Sequence, residues 1–308
     1  MGTALRTMWE ECPAVSRLLC AGYPLLSIGM PMIAKLVPSA PAMFLCCLFT
    51  VLQRHYVWAL FASMFYRPIT HALSVFTMLV EVYLGLACLP ERERDLGSCR
   101  FLVWALLVTI VVNLCFLAMM FLLDATVGPG HQFWLNSNQG LWPLVIVCIT
   151  LRSLASPRDP VGVFGMFFVP SRWYPLVLAG LLSLLSGSIL WDVLAALAVG
   201  YAHDSLRLDR LILSPLRAST LERSCLCGGA RKALSCLGSW VPAQAARGYD
   251  ELLDGSSSGR RFATLSDLRN AGARRVVGSS SATDLPLFGG QEPDSFRVFG
   301  GSGQRLGQ

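Results

Sequence analysis

An apolar stretch over residues 101–123 constrains the fold of this chain more than any other feature. It contains little that is polar apart from Asn113. A helix of about 20 apolar residues is as long as a bilayer is thick, so this stretch predicts a transmembrane helix. The whole chain has a mean hydropathy of +0.55 and only 14% charged residues, which is too apolar for an ordinary soluble protein. The sequence therefore predicts a multi-pass membrane protein.

Five further apolar segments are predicted to cross the membrane. They cover residues 18–37, which Pro24 and Pro31 are expected to kink or shorten, 71–89, 141–151 with an extension back to Trp134, 173–185 and 189–201. The segment 42–52 is too short to span and is predicted to be interfacial or re-entrant. We predict an all-α membrane domain of six transmembrane helices over residues 1–205. A Ser-, Gly- and Arg-rich tail over 206–298 is predicted to be disordered, with a separate peptide at 299–308.

The distribution of arginine predicts the orientation of this domain. The loops 90–100 and 152–172 carry three arginines each, whereas 124–140 has neither lysine nor arginine. Positively charged loops remain in the cytosol. We therefore expect both termini to be cytosolic.

The last two predicted spans carry features that favour close helix packing. The short join at 186–188 requires them to be antiparallel neighbours. Ala196 and Gly200 are four residues apart, so they form a small-residue face that another helix can approach. Asp192 is costly inside a membrane, so we expect it to face protein or water.

This part of the chain resembles the end of the membrane domain of derlins, the rhomboid-like pseudoproteases of endoplasmic reticulum quality control. In that family an FG pair precedes, at a fixed distance, a Pro that opens the fifth span, and here Phe164-Gly165 and Pro175 match. The family's sixth span has an acidic residue followed by GxxxGH. Asp192 and the Ala196-xxx-Gly200 pattern are similar, with a spacing one residue longer and Ala for the first Gly.

The long first loop departs from the derlin pattern at one position. Derlins carry a Trp-Arg pair there, and the arginine ties the loop down by hydrogen bonds. Trp58 matches the tryptophan, but Ala59 replaces the arginine. Arg54 and Arg67 are the candidates to replace that anchor. Trp58 is equally consistent with an aromatic residue at the membrane interface.

The C-terminal peptide carries a second resemblance to derlins. The last ten residues read FGGSGQRLGQ and resemble the SHP box, FxGxGQxLG, which docks on the N-terminal domain of the AAA ATPase valosin-containing protein. The alternative is a glycine-rich terminus that matches by chance. The residues expected to bind the ATPase are Phe299, Gly301, Gly303, Gln304, Arg305, Leu306 and Gly307.

The derlin resemblance implies a non-catalytic component of retrotranslocation and degradation of misfolded endoplasmic reticulum proteins. Its implied surroundings are the endoplasmic reticulum bilayer, a ubiquitin-ligase membrane complex, misfolded client proteins and a homo-oligomer. No cofactor, metal or nucleic acid is expected. The ATPase would supply the energy, because the sequence has no GxxxxGK[ST] nucleotide-binding motif.

Two other classes of function remain as alternatives. An intramembrane protease would need Ser137 and His203, but Ser137 lacks a GxSG motif and the two residues are predicted to lie about 20 Å apart or more, at opposite ends of their spans. We therefore predict no enzymatic activity. A small-solute transporter or lipid-handling protein would use Glu81 or Asp192, which together with Asp124 are the candidates for buried acids.

Overall fold

The computed structural model describes residues 2–128, 131–157, 160–163, 167–187, 189–203, 205–206, 208–212, 214–223, 238–243 and 246. Most of these residues are helical. The helices are α1 (Gly2–Glu10), α2 (Ala14–Leu36), α3 (Ala59–Ala62), α4 (Ala72–Leu96), α5 (Ser98–Val127), α6 (His131–Leu135), α7 (Trp142–Ala155), α8 (Tyr174–Ser186), α9 (Trp191–Ala202), α10 (Leu208–Leu211) and α11 (Pro215–Arg223). The strands are β1 (Pro160–Val163) and β2 (Phe167–Pro170).

Three helices within the described residues are long and apolar enough to cross a membrane: α2, α4 from residue 74 onward, and α5. The six predicted spans each coincide with a helix, but α7, α8 and α9 have only 14, 13 and 12 residues. The membrane class is therefore supported, whereas the number six is not confirmed. The segment 42–52 forms no long helix; short 3-10 and π turns occupy it instead.

Three helices differ from the prediction in their extent. Helix α2 continues through Pro24 and Pro31, so the prolines do not shorten it. Helix α4 extends to Leu96 instead of ending near residue 89, because the Glu- and Arg-rich segment that follows has high helix propensity. Only Gly97, with a φ of 81°, separates α4 from α5. The predicted extension of α7 back to Trp134 is also wrong, since 136–141 is not helical.

Helix α7 is the centre of the bundle. It packs on α4, α5, α8 and most extensively on α9, and all of its residues from 142 to 151 are buried. A helix that is apolar on every side is expected in such a position. Ala196 and Gly200 of α9 are buried here, and a Cβ atom on Gly200 would lie 2.8 Å from Cβ of Thr150 in α7. The small residues thus allow this close approach of the two helices.

A β-hairpin is an element that the all-α prediction omitted. Strands β1 and β2 pair antiparallel, with Pro160 opposite Pro170 and Val163 opposite Phe167. The sequence signal was weak because each strand has only four residues. The derlin-like pair Phe164-Gly165 lies outside the described residues. Pro175 is in the first turn of α8, where its missing N–H is not needed.

Part of the predicted disordered tail is packed against the helices. Leu208, Ile212 and Ala218 are buried. Further along, the Ser239 carbonyl accepts a 3.0 Å hydrogen bond from the N–H of Ala14, and the Val241 carbonyl accepts one of 2.8 Å from Ser98 N–H. These residues of the predicted tail therefore contact the helical part of the chain. The C-terminal peptide 299–308 lies outside the described residues.

Candidate functional site

The long loop before α4 is anchored to the bundle by Arg67. Its guanidinium forms an ion pair with Glu81, which is fully buried in α4, and its backbone N–H donates to Oγ of Ser27 at 3.0 Å. Arg54, the other candidate anchor, is exposed and lies over the ring of Phe49. Arg67 therefore ties down the loop in which the derlin-like arginine is absent.

The Trp58-Ala59 pair lies elsewhere in the same loop. Trp58 is 43% exposed and stacks on Tyr56 with ring centroids 5.0 Å apart. Ala59 is fully buried. A charged side chain that replaced Ala59 would therefore begin at a buried position.

Asn113 provides a second anchor from the middle of α5. Its Nδ2 donates to the Leu60 carbonyl at 2.7 Å and to Oγ of Ser63 at 2.9 Å. Its Oδ1 accepts a 2.7 Å hydrogen bond from Nδ2 of Asn138. This amide in the middle of the longest apolar stretch thus joins the loop before α4 to the loop before α7.

The loop before α7 is fixed by its last two residues. The N–H of Gly140 donates to the Ser63 and Tyr66 carbonyls at 2.9 and 3.1 Å, and the N–H of Leu141 donates to Oε2 of Glu81 at 3.0 Å. Gly140 has a φ of 82°, and a Cβ atom there would lie 2.6 Å from Oε2 of Glu81. Only glycine fits this position, for reasons of both conformation and space.

A polar cavity of about 180 Å³ lies between the loops that precede α4 and α7, the start of α9 and Phe116 of α5. One cation, Arg67, and one carboxylate, Asp192, face it together with amide and hydroxyl groups. The Arg67 side chain is 21% exposed, whereas its partner Glu81 is completely covered. Asp192 is in the first turn of α9, where the helix dipole favours a negative charge. The lining residues are Arg67, Phe116, Asn136, Ser137, Gln139, Ile189, Leu190, Trp191 and Asp192.

Ser137 and His203 lie at opposite ends of the bundle. Ser137 lines the cavity, and its Oγ is 3.5 Å from Oε1 of Gln139. His203 follows the end of α9, where its Nε2 accepts a 3.2 Å hydrogen bond from Nε1 of Trp104 and is 3.7 Å from Asp209. The two side chains therefore do not form a nucleophile–base pair, which requires a separation near 3 Å.

The two residues have different surroundings. Ser137 precedes the start of α7 by five residues, and α7 has no side-chain cap. His203 is only 3% exposed. His203 contacts Trp104 of α5, which is distant in sequence, and no local sequence pattern indicates this contact.

Two observations concern metal ligands and thiols in the part of the chain that the structure describes. No group of three or more His, Cys, Asp or Glu side chains is close enough to hold a metal ion there. Burial raises the pKa of the Cys12 thiol to about 12, and the nearby carboxylate of Glu93 adds to the effect. Cys12 therefore remains a protonated, unreactive thiol at neutral pH.

The cavity brings together residues that the sequence presented separately. Glu81 and Asp192 are predicted separately as buried acids. In the structure Arg67 forms an ion pair with Glu81 and lines the cavity together with Asp192. Sequence reasoning missed Asn136 and Gln139, although their polar side chains immediately before an apolar helix were a usable signal. Pro175, Ala196 and Gly200 do not line the cavity.

The described residues thus form a mostly helical protein with three helices that could cross a membrane, and with a polar cavity at one end of the bundle. No protein-family model matches the chain, and neither the curated proteins nor the solved structures include one that is detectably similar to it. The assignment of a function therefore depends on the cavity and on the sequence motifs.

Proposed function

We propose that this protein is a non-catalytic, derlin-like component of the endoplasmic reticulum membrane that helps misfolded polypeptides to leave it. The observation that carries this proposal is the polar cavity within an apolar bundle. Arg67, Asn136, Gln139 and Asp192 line it. A polar chain segment is costly in hydrocarbon, and hydrogen-bonding groups at the entrance of a bundle lower that cost.

The contacts that the structure describes for Ser137 and His203 favour a binding role over proteolysis. Ser137 contacts Gln139. His203, the candidate base, accepts a hydrogen bond from Trp104 at the other end of the bundle. The same arrangement is expected of a pseudoprotease. The anchoring of the first loop by Arg67 supports the resemblance in another way, because it supplies the function of the missing arginine.

The tail peptide supports the recruitment of an extraction motor. Phe299 and Leu306 are suited to fill two apolar pockets, and the intervening glycines allow an extended chain to lie close to a groove. Valosin-containing protein would supply the pulling force on the cytosolic side, where a ubiquitin-ligase membrane complex would mark the client proteins. Both termini are cytosolic in this proposal.

Binding of the tail to the ATPase tests the proposal directly. A peptide covering residues 294–308 is titrated into the isolated N-terminal domain of valosin-containing protein. We expect micromolar binding that is lost in Phe299→Ala and in Leu306→Ala. Ser302→Ala is the matched control, because position 302 is a variable position of the motif. The proposal fails if the unmodified peptide does not bind at millimolar concentration.

A second candidate function is a small-solute transporter or lipid-handling protein. The specific observation in its favour is that Arg67 contacts Glu81 and shares the cavity with Asp192, an arrangement of charges that can hold a polar solute. Concentrative uptake into vesicles that contain the purified protein would support it, provided that uptake is lost in Glu81→Gln or Asp192→Asn. Uptake that is equal in vesicles with and without the protein would exclude the transporter.

A further inference from the structure

We propose that the cavity binds the headgroup of an aminophospholipid, with the ammonium group at Asp192 and the phosphate at Arg67. This inference narrows the lipid-handling candidate to one class of ligand. It is independent of the recruitment of an ATPase, and it would stand if the tail peptide did not bind.

The charges around the cavity favour a ligand that carries both signs. Glu81 is already paired with Arg67, so Asp192 is the acid that remains for a ligand in this cluster. A cationic group is therefore attracted to the Asp192 side. The guanidinium of Arg67 has five N–H donors and points one of them at Glu81, and its exposed part can donate to a phosphate oxygen.

The type of polar group distinguishes a primary ammonium from a quaternary one. Four of the residues that line the cavity carry side-chain oxygen acceptors: Asn136, Ser137, Gln139 and Asp192. A primary ammonium has three N–H donors and matches them. A quaternary ammonium has none and is bound by a cage of aromatic rings, whereas this cavity has only Phe116 and Trp191.

The size and border of the cavity fit a headgroup whose acyl chains remain outside. A volume of about 180 Å³ holds roughly six water molecules, so it can hold a small phosphate–ethanolamine unit. Ile189 lines the cavity and is 57% exposed, and Leu135, next to Asn136 in the chain, is 64% exposed. Exposed apolar side chains beside a polar cavity suit an amphiphile better than a soluble zwitterion.

Native mass spectrometry of the full chain in detergent, with added lipids, tests the inference. Phosphatidylethanolamine, phosphatidylcholine and phosphatidylglycerol with identical acyl chains are added at equal concentration. We expect phosphatidylethanolamine to bind about tenfold more tightly than the other two, which is the effect of one charge-assisted hydrogen bond. Soluble O-phosphoethanolamine is expected to compete, but only at a far higher concentration than the lipid.

Two cavity variants and one control make the result specific. Asp192→Asn keeps the shape of the side chain and is expected to abolish the preference for ethanolamine, and Gln139→Ala is expected to weaken it. Asp124→Asn is the matched control. Asp124 is an acid of α5 that accepts a 2.9 Å hydrogen bond from Nε1 of Trp134, and it does not line the cavity.

Three outcomes would overturn the inference. The first is equal binding of the three lipids. The second is a preference that Asp192→Asn leaves intact, or that Asp124→Asn removes to the same extent. The third is soluble O-phosphoethanolamine binding as tightly as the lipid, which would make the site one for a soluble zwitterion and not for a lipid.

Discussion

Replacing Arg67 by methionine is expected to destabilise the protein by about 3–5 kcal/mol, the usual loss when one partner of a buried ion pair is removed. Glu81 is completely buried, and its Oε1 atom accepts from the guanidinium of Arg67. Its Oε2 atom accepts from the N–H of Leu141 at 3.0 Å. Methionine preserves most of the length of the side chain but leaves the carboxylate without its cation.

Replacing the other partner of the ion pair, Glu81, is expected to lower the free energy of unfolding by less. Glu81→Gln keeps an oxygen for the N–H of Leu141, and Arg67 is 21% exposed, so solvent in the cavity can hydrate the unpaired guanidinium. We expect a loss of about 1–2 kcal/mol, similar to one weakened charged hydrogen bond. The double variant is expected to be more stable than Arg67→Met alone, because neither charge then remains buried without its partner.

Equilibrium unfolding in mixed micelles measures these free energies. Arg54→Met is the matched control, because Arg54 is an exposed arginine of the same region that contacts only an aromatic face among the contacts described for it. Its loss is expected to cost less than about 1 kcal/mol. Equal effects of Arg67→Met and Arg54→Met, or a double variant whose loss is the sum of the single losses, would refute the reasoning.

Three further predictions use the same folded protein. Gly200→Ala should lower the free energy of unfolding by about 1–3 kcal/mol, because the new Cβ atom would lie 2.8 Å from a side chain of α7. Gly180→Ala is the control and should be neutral or stabilising, because no atom lies within 4 Å of its new Cβ atom. Equal effects of the two variants would contradict the packing of α9 on α7. Gly140→Ala should destabilise more than Gly128→Ala in the same unfolding assay. Both glycines have positive φ, but only a Cβ at 140 would meet a carboxylate oxygen, at 2.6 Å. Cys12 should be unmodified by iodoacetamide at pH 8 in the folded protein and modified after denaturation, because burial raises the pKa of its thiol to about 12. Peptide mass mapping measures the modification. Rapid modification of the folded protein would show that this thiol is accessible.

The helical segments were predictable because their signal is local. An apolar stretch such as 101–123 determines its own conformation in a membrane, and it forms the greater part of α5. The small residues Ala196 and Gly200 also indicated a packing face before any partner was known. The short helices were harder to assign as spans, since α7 is surrounded by other helices and its hydrophobicity serves the protein core.

The polar contacts could not be predicted because their partners are distant in sequence. Asn113 bonds to Asn138 and to the carbonyl of Leu60, and the pairing depends on how three separate elements pack. The choice of Arg67 over Arg54 as the loop anchor has the same cause. Composition predicted a disordered tail, but composition does not reveal that Val241 and Ser98 exchange hydrogen bonds.

A second buried acid, Glu93, has a purely structural role and can be compared with Glu81. Its carboxylate accepts hydrogen bonds from the backbone N–H groups of Val15 and Ser16 at 3.2 and 2.7 Å and from the hydroxyl of Ser98. It thus pairs N–H groups at the start of α2 that have no acceptor within the helix. Glu81 does the same for the start of α7 through Leu141.

The difference between the two acids lies in what surrounds them. All of the donors described for Glu93 belong to the backbone or to hydroxyl groups, whereas Glu81 is paired with a cation that reaches a cavity. Glu81 therefore fixes the position of Arg67, and Arg67 and Asp192 are the charged groups that a ligand would contact. Loss of ligand binding in Glu81→Gln would accordingly be an indirect effect, and Asp192→Asn is the variant that separates binding from stability.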